Sequence, residues 1–123
     1  MKKVFSFDFD YDKQDDVLTI FDYSKPIKET IEFTEILNVS LGKNGEIVGL
    51  EMFDAEEFLN ALNPELSKEF LSNLKKVELQ QIEFRNTWYI MVLLHSDKKV
   101  ISQQLPPLNK QTYESPLIKS VCS

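Results

Sequence analysis

The sequence is poor in the residues that build small reactive centres. It has one Cys, one His, one Trp and three Gly in 123 residues. A lone Cys122 and a lone His95 cannot make an intrachain disulfide or the Cys/His sets that hold zinc. Gly42, Gly45 and Gly49 are too few for a loop that cradles phosphate, and no G-x-S-x-G elbow is present. No apolar run approaches the ~18 residues of a membrane-spanning helix. Nor is there a signal-peptide pattern, so a cytoplasmic protein away from membranes is expected. Basic residues are outnumbered, 14 Lys and Arg against 20 Asp and Glu, for a net charge of −6. Such a surface repels phosphate backbones, and nucleic acid is not an expected partner.

What is present is a well-patterned apolar set, 42% of the chain, enough for one domain core. Phe5, Phe7, Phe9 and Tyr11 recur at every second position, with Ser6, Asp8 and Asp10 between them, the period of a strand with one apolar face. A polar link at Lys13-Gln14-Asp15 leads to Val17–Phe21, which predicts an antiparallel hairpin. Pro26 breaks the second strand. A third strand is expected over 30–41, with Ile31, Phe33, Leu37, Val39 and Leu41 in one parity and Glu35 interrupting. Asn44-Gly45 signals a hairpin turn and 46–53 a fourth strand, which together predict a four-stranded meander. Asp54 and Glu57 have capping-box spacing, and Asn63-Pro64 reads as a second helix start, so two short helices are expected over 54–75.

Strands resume at Val77. The apolar parity of Val77 and Leu79 changes at Ile82 and Phe84, which predicts a bulge at Gln80-Gln81. Residues 87–95, apolar on both faces, are placed at the centre of a sheet, and 99–105 make a last strand before Pro106-Pro107. The fold class is thus α+β: a four-stranded antiparallel meander, a short helical hairpin and three more antiparallel strands, packed as one curved sheet. Residues 1–107 are read as one domain and 108–123 as a C-terminal tail or docking arm. One helical pair cannot cover both faces of such a sheet, so a second copy is expected on the open face, making a homo-oligomer with a dimer favoured.

Two stretches carry a family resemblance. Tyr11-Asp12-Lys13-Gln14-Asp15-Asp16-Val17-Leu18-Thr19-Ile20 resembles the Y-D-x-x-x-D-x-L-x-I opening of a prokaryotic family known as domain of unknown function 2283, and Gly45–Met52 resembles its G-x-x-V-G-I-E-I segment. Asp54-Ala55 stands where that family often has Asn-Ala, and Thr19 replaces an aromatic residue often found there. The resemblance spans about residues 8–58, a β-meander and first helix, and leaves 59–107, a helix plus three strands, as an extension. It implies a fold rather than a reaction, and an antitoxin-like, neutralising role. From residue type alone, Tyr11, Asp12, Asp16, Gly45, Gly49 and Glu51 read as structural: carboxylates at a turn, a positive-φ glycine, a glycine at a bulge or close contact, and a strand carboxylate able to pair with a lysine or cap a turn.

Three further candidates remain. Asp8, Asp10 and Asp12 form D-x-D-x-D, hard oxygen donors of the kind that bind Ca²⁺ or Mg²⁺. Counted from Asp8, an EF-hand loop would need Gly where Lys13 stands and Glu where Thr19 stands. On a straight strand alternate carboxylates lie about 7 Å apart, too far to share one ion. The structural alternative is a charged sheet edge that resists aggregation. His95 ends an apolar strand without a patterned nucleophile beside it. Trp88 and Tyr89 are adjacent and must face opposite sides of their strand, one to the core and the other free to anchor an interface. The expectation is a non-enzymatic interaction module with no cofactor, whose acidity suits a basic protein partner. The alternative is a small-ligand or divalent-metal enzyme using the N-terminal Asp cluster, with His95 assisting.

Overall fold

The computed structural model describes residues 3–109. Nine strands and two short helices follow the chain: β1 (Lys3–Asp12), β2 (Val17–Phe21), β3 (Glu29–Thr34), β4 (Leu37–Leu41), β5 (Ile47–Phe53), α1 (Ala55–Leu62), α2 (Lys68–Ser72), β6 (Leu74–Phe84), β7 (Thr87–Ser96), β8 (Val100–Gln104) and β9 (Leu108–Asn109). All strand pairs are antiparallel, in the order β3-β4-β5-β2-β1-β6-β7-β8, with β9 on β7. The α+β class and the single curved sheet hold; the strand count and arrangement differ from the expectation. The first two residues of the expected tail form β9, and the rest of that tail lies outside the described residues.

The expected third strand is two strands. Thr34 pairs with Leu37 across a two-residue turn at Glu35-Ile36. A two-residue turn reverses parity, but the bulge between Glu32 and Thr34 restores it, so Ile31 and Val39 pair and face the core from both strands and the pattern reads as continuous. The first half is not a meander either. The Pro26 segment carries the chain from β2 to the outer strand β3, and β5 returns to pair with β2. At the next hairpin only Gly45 takes a positive φ, 78°; Asn44 does not. The second helix starts at Lys68 rather than after Asn63. Ser67 Oγ accepts the Phe70 N–H at 3.2 Å, while Asn63 Oδ1 accepts from Glu65 N in a local turn.

β1 is the shared strand. Its residues 3–7 pair with β6, and Asp8–Asp12 pair with β2. The first hairpin therefore lies inside the sheet order and is not the charged edge expected for it; the outer strands are β3 and β8. The sheet curls so that β3 and β7 approach across its concave side, where the Phe33 and Trp88 rings meet edge-on at 5.6 Å. One core fills that side, drawing on Leu18, Ile20, Leu50 and Met52 from one half and Val77, Trp88, Ile90 and Val92 from the other, with Leu59, Phe70 and Leu71 of the helices. Lys99 Nζ donates to Glu65 Oε1 at 2.8 Å beside the Phe70 ring, linking the α1–α2 connection to the start of β8.

β7 alternates strictly: Trp88, Ile90, Val92 and Leu94 are buried, and Tyr89, Met91 and Leu93 are half-buried on the other face. Pairing between β6 and β7 is regular from Lys76 to Phe84, and the irregularity lies earlier, between Leu74 and Lys76. The bulge expected at Gln80-Gln81 is absent, and Ile82 and Phe84 point away from the core, opposite Tyr89 and Thr87. Trp88→Ala is expected to cost about 3–5 kcal/mol. Tyr89→Ser on the convex face is expected to cost at most about 1.5 kcal/mol. Urea unfolding at low micromolar concentration measures both, and equal losses would contradict the two-faced placement.

Candidate functional site

The residues singled out around the first hairpin meet the start of α1. Asp16, at φ 57°, reaches the helix twice. Its backbone carbonyl accepts the Ala55 N–H at 2.9 Å, and its Oδ1 accepts the Glu56 N–H at 2.9 Å. The same Oδ1 accepts the Tyr11 hydroxyl at 2.6 Å. Free N–H groups at a helix start favour a carboxylate, which here comes from 40 residues upstream. Asp54, the expected cap, makes no side-chain cap bond; at φ 51° it serves as the left-handed residue that turns β5 into α1. That conformation suits Asn as well as Asp.

Burial and the Asp16 hydrogen bond hold the Tyr11 pKa well above the usual tyrosine value, reinforced by the charges of Asp16, Glu56 and Asp12. The hydroxyl therefore stays protonated and keeps donating. Asp12 acts locally, where its Oδ1 accepts Gln14 N at 3.0 Å and Asp15 N at 3.1 Å and shapes the turn. Asp22 does likewise, accepting Ser24 Oγ at 2.6 Å and Ser24 N at 2.9 Å, and these bonds keep its carboxyl below the ordinary range.

Gly49 is buried in mid-sheet between β2 and β4. A Cβ there would stand 3.3 Å from the Ile20 carbonyl oxygen and 3.5 Å from Ser40 Cβ. The close neighbours are thus backbone and a small side chain. The bulge in this ladder falls beside it, between Ser40 and Leu41. Glu51 pairs with neither a lysine nor a turn; its Oε1 accepts Asn38 Nδ2 at 3.3 Å across the β4–β5 ladder.

Asp8 and Asp10 stand exposed on the convex face of β1, opposite Phe21 and Thr19 of β2. With Tyr23, Lys75 and Lys76 they border a shallow depression of about 690 Å³. Among the described residues no group of three or more His, Cys, Asp or Glu side chains is arranged to hold a metal. Asp12, the third expected donor, is engaged by its turn. His95 lies on another ladder, where Nε2 meets Glu78 Oε1 at 2.6 Å, and Lys76 Nζ lies 3.8 Å from the same carboxylate. Trp88 is 1% exposed and its Nε1 donates to Glu83 Oε1 at 3.2 Å; Tyr89 occupies the opposite face. Cys122 lies outside the described residues.

Comparison with known proteins places a boundary on this geometry. Residues 8–56 match a protein family of unknown function, DUF2283, so this part of the chain is similar to that family. No curated protein and no solved structure matches the chain. The matched stretch begins at Asp8, where β1 passes from β6 to β2, and ends at Glu56, whose N–H is held by Asp16. Among the described residues, no helix is long and apolar enough to cross a membrane.

Asp16→Ala is expected to cost about 2–3 kcal/mol, through the lost cap, the freed Tyr11 hydroxyl and a strained left-handed residue. Asp16→Asn is expected to cost about 1 kcal/mol or less, because an amide oxygen can accept both bonds. Thermal unfolding measures both, and equal losses would sink the capping account. The raised Tyr11 pKa favours the folded state up to the unfolded tyrosine pKa, about 10. Above it the unfolded chain releases a proton that the folded chain retains, so this stability declines as pH rises. Urea midpoints from pH 8 to 11 should fall less steeply in Tyr11→Phe than in the parent; parallel curves would show that Tyr11 is not the source.

Proposed function

We propose that this chain is a non-enzymatic protein-interaction module of the prokaryotic cytoplasm that acts as a homo-oligomer and presents an acidic surface to a basic protein partner. The carrying observation is the way the fold sorts charge. Residues 8–56 hold thirteen Asp and Glu against four Lys, a net of −9; residues 74–109 hold three Asp and Glu against five Lys and Arg, a net of +2. The first group lies on β1–β5 and the start of α1, the second on β6–β9, at the other end of the strand order. A net charge of −6 thus becomes an acidic field concentrated on the β1–β5 half of the sheet. Such a field steers a partner of opposite sign and rejects acidic ones. Asp8 and Asp10, exposed beside Phe21 and Tyr23 with Lys75 and Lys76 on the same rim, offer both charge and aromatic surface to that partner. An antitoxin-like role, neutralising a basic protein, is the form this reading takes.

Two measurements test it. The tagged 123-residue chain, incubated with lysate of its native host, is expected to retain a basic protein, with retention falling about tenfold between roughly 0.1 and 0.5 M salt. The Asp8→Lys, Asp10→Lys variant should lose that partner; a partner indifferent to salt and to the variant would contradict the reading. In thermal unfolding, Mg²⁺, Ca²⁺ and Mn²⁺ at about 5 mM are expected to leave the midpoint within about 1 °C. A larger rise that Asp10→Asn abolishes would instead support a metal-dependent activity.

A further inference from the structure

We propose that the convex face of β6, β7 and β8 is the surface on which a second copy of this chain docks. The proposal rests on the homo-oligomeric reading above and gives it a place. Tyr89, Met91 and Leu93 form a half-buried stripe along β7, continued by Ile82 opposite Tyr89. Phe84 lies beyond one end, 58% exposed, and Val100 beyond the other, 53% exposed. None of these six side chains belongs to the core, whereas the inward residues of both helices do. The helices therefore lie on the concave side and leave this face uncovered. Because β6 continues through Gln80-Gln81 without a bulge, Ile82 and Phe84 are carried to the outside in regular register.

The charge pattern selects the occupant. The stripe is flanked by neutral groups, Gln80 and Gln104 opposite Met91 and Ser102 opposite Leu93. Glu78, also opposite Leu93, is matched by His95 at 2.6 Å and Lys76 at 3.8 Å. Along the stripe itself a strongly charged partner finds no unmatched charge to read; Arg85, with its guanidinium 5.1 Å over the Phe84 ring, stands at one end. A second copy brings the same neutral, apolar stripe, and a twofold arrangement sets identical patches against each other. Two acidic chains repel wherever their acidic halves meet, and a twofold axis running along the strands sets those halves apart. Three strands by eight residue steps give a footprint of about 15 by 27 Å, or ~400 Å² per copy. That is the low end for a specific interface and corresponds to a weak, reversible dimer.

Sedimentation equilibrium of the full chain, from about 5 to 500 µM with reductant to exclude Cys122 cross-links, tests the proposal. A monomer–dimer equilibrium is expected, weakened at least about tenfold by Tyr89→Lys with Met91→Lys. Gln80→Glu with Gln104→Glu, which keeps every apolar side chain, should weaken it in the same direction by placing like charges across the twofold. A dimer unchanged in both variants would overturn the assignment of this face and leave the homo-oligomeric reading standing. A monomer at every concentration would overturn both, whether residues 110–123 or another protein then covers the face.

Discussion

Strand β1 is held from both sides, but by different residues on each side. Its first five paired residues complete the ladder of β6 and its last five the ladder of β2. Among the described residues, no other strand pairs with both halves. Antiparallel pairing is directional and has a period of two, so this split fixes where both halves point their apolar faces. Phe7 packs on the core opposite Val77, and Phe9 opposite Ile20. One alternating run of aromatics thus serves two ladders, and the curled sheet closes over a single core.

The family-like stretch and its continuation are physically distinct within that frame. Residues 8–56 hold most of the acidic charge and are tied off by Asp16, whose carbonyl and carboxylate hold the first N–H groups of α1. Through Tyr11 the same carboxylate is locked to β1, so strand, turn and helix start form one rigid corner. β6 to β9 add the other wall of the core and a convex face of opposite character, apolar and close to neutral. The two halves meet along β1, whose Asp8 and Asp10 lie on the strand beside β6.

Much of this is legible in the sequence, because local alternation and turn chemistry carry it. The Phe5-to-Tyr11 alternation, the β2 and β5 segments, the Gly45 turn and the opposed faces of Trp88 and Tyr89 follow from period two and from positive-φ preference. What escapes is non-local or silent in pattern. Glu35-Ile36 turns without Gly or Pro, and the bulge between Glu32 and Thr34 restores the parity that the turn reverses, so one long strand fits as well as two. β5 beside β2 depends on a crossover that alternation cannot encode. Spacing points to Asp54, the sequence neighbour, as the cap of α1, whereas the capping carboxylate comes from Asp16. The parity change before Ile82 is visible and suggests a bulge; a regular strand that turns apolar side chains outward accounts for the same residues.

The central claim is that β1 makes the acidic half and the β6–β9 half one cooperative structure. Native-state hydrogen exchange of the full chain under increasing urea tests it most directly. The amides of Leu18 and Leu50 on one side and of Val92 and Leu94 on the other should converge on a single opening free energy, within about 1 kcal/mol. Separate isotherms, with one half opening well before the other, would contradict it.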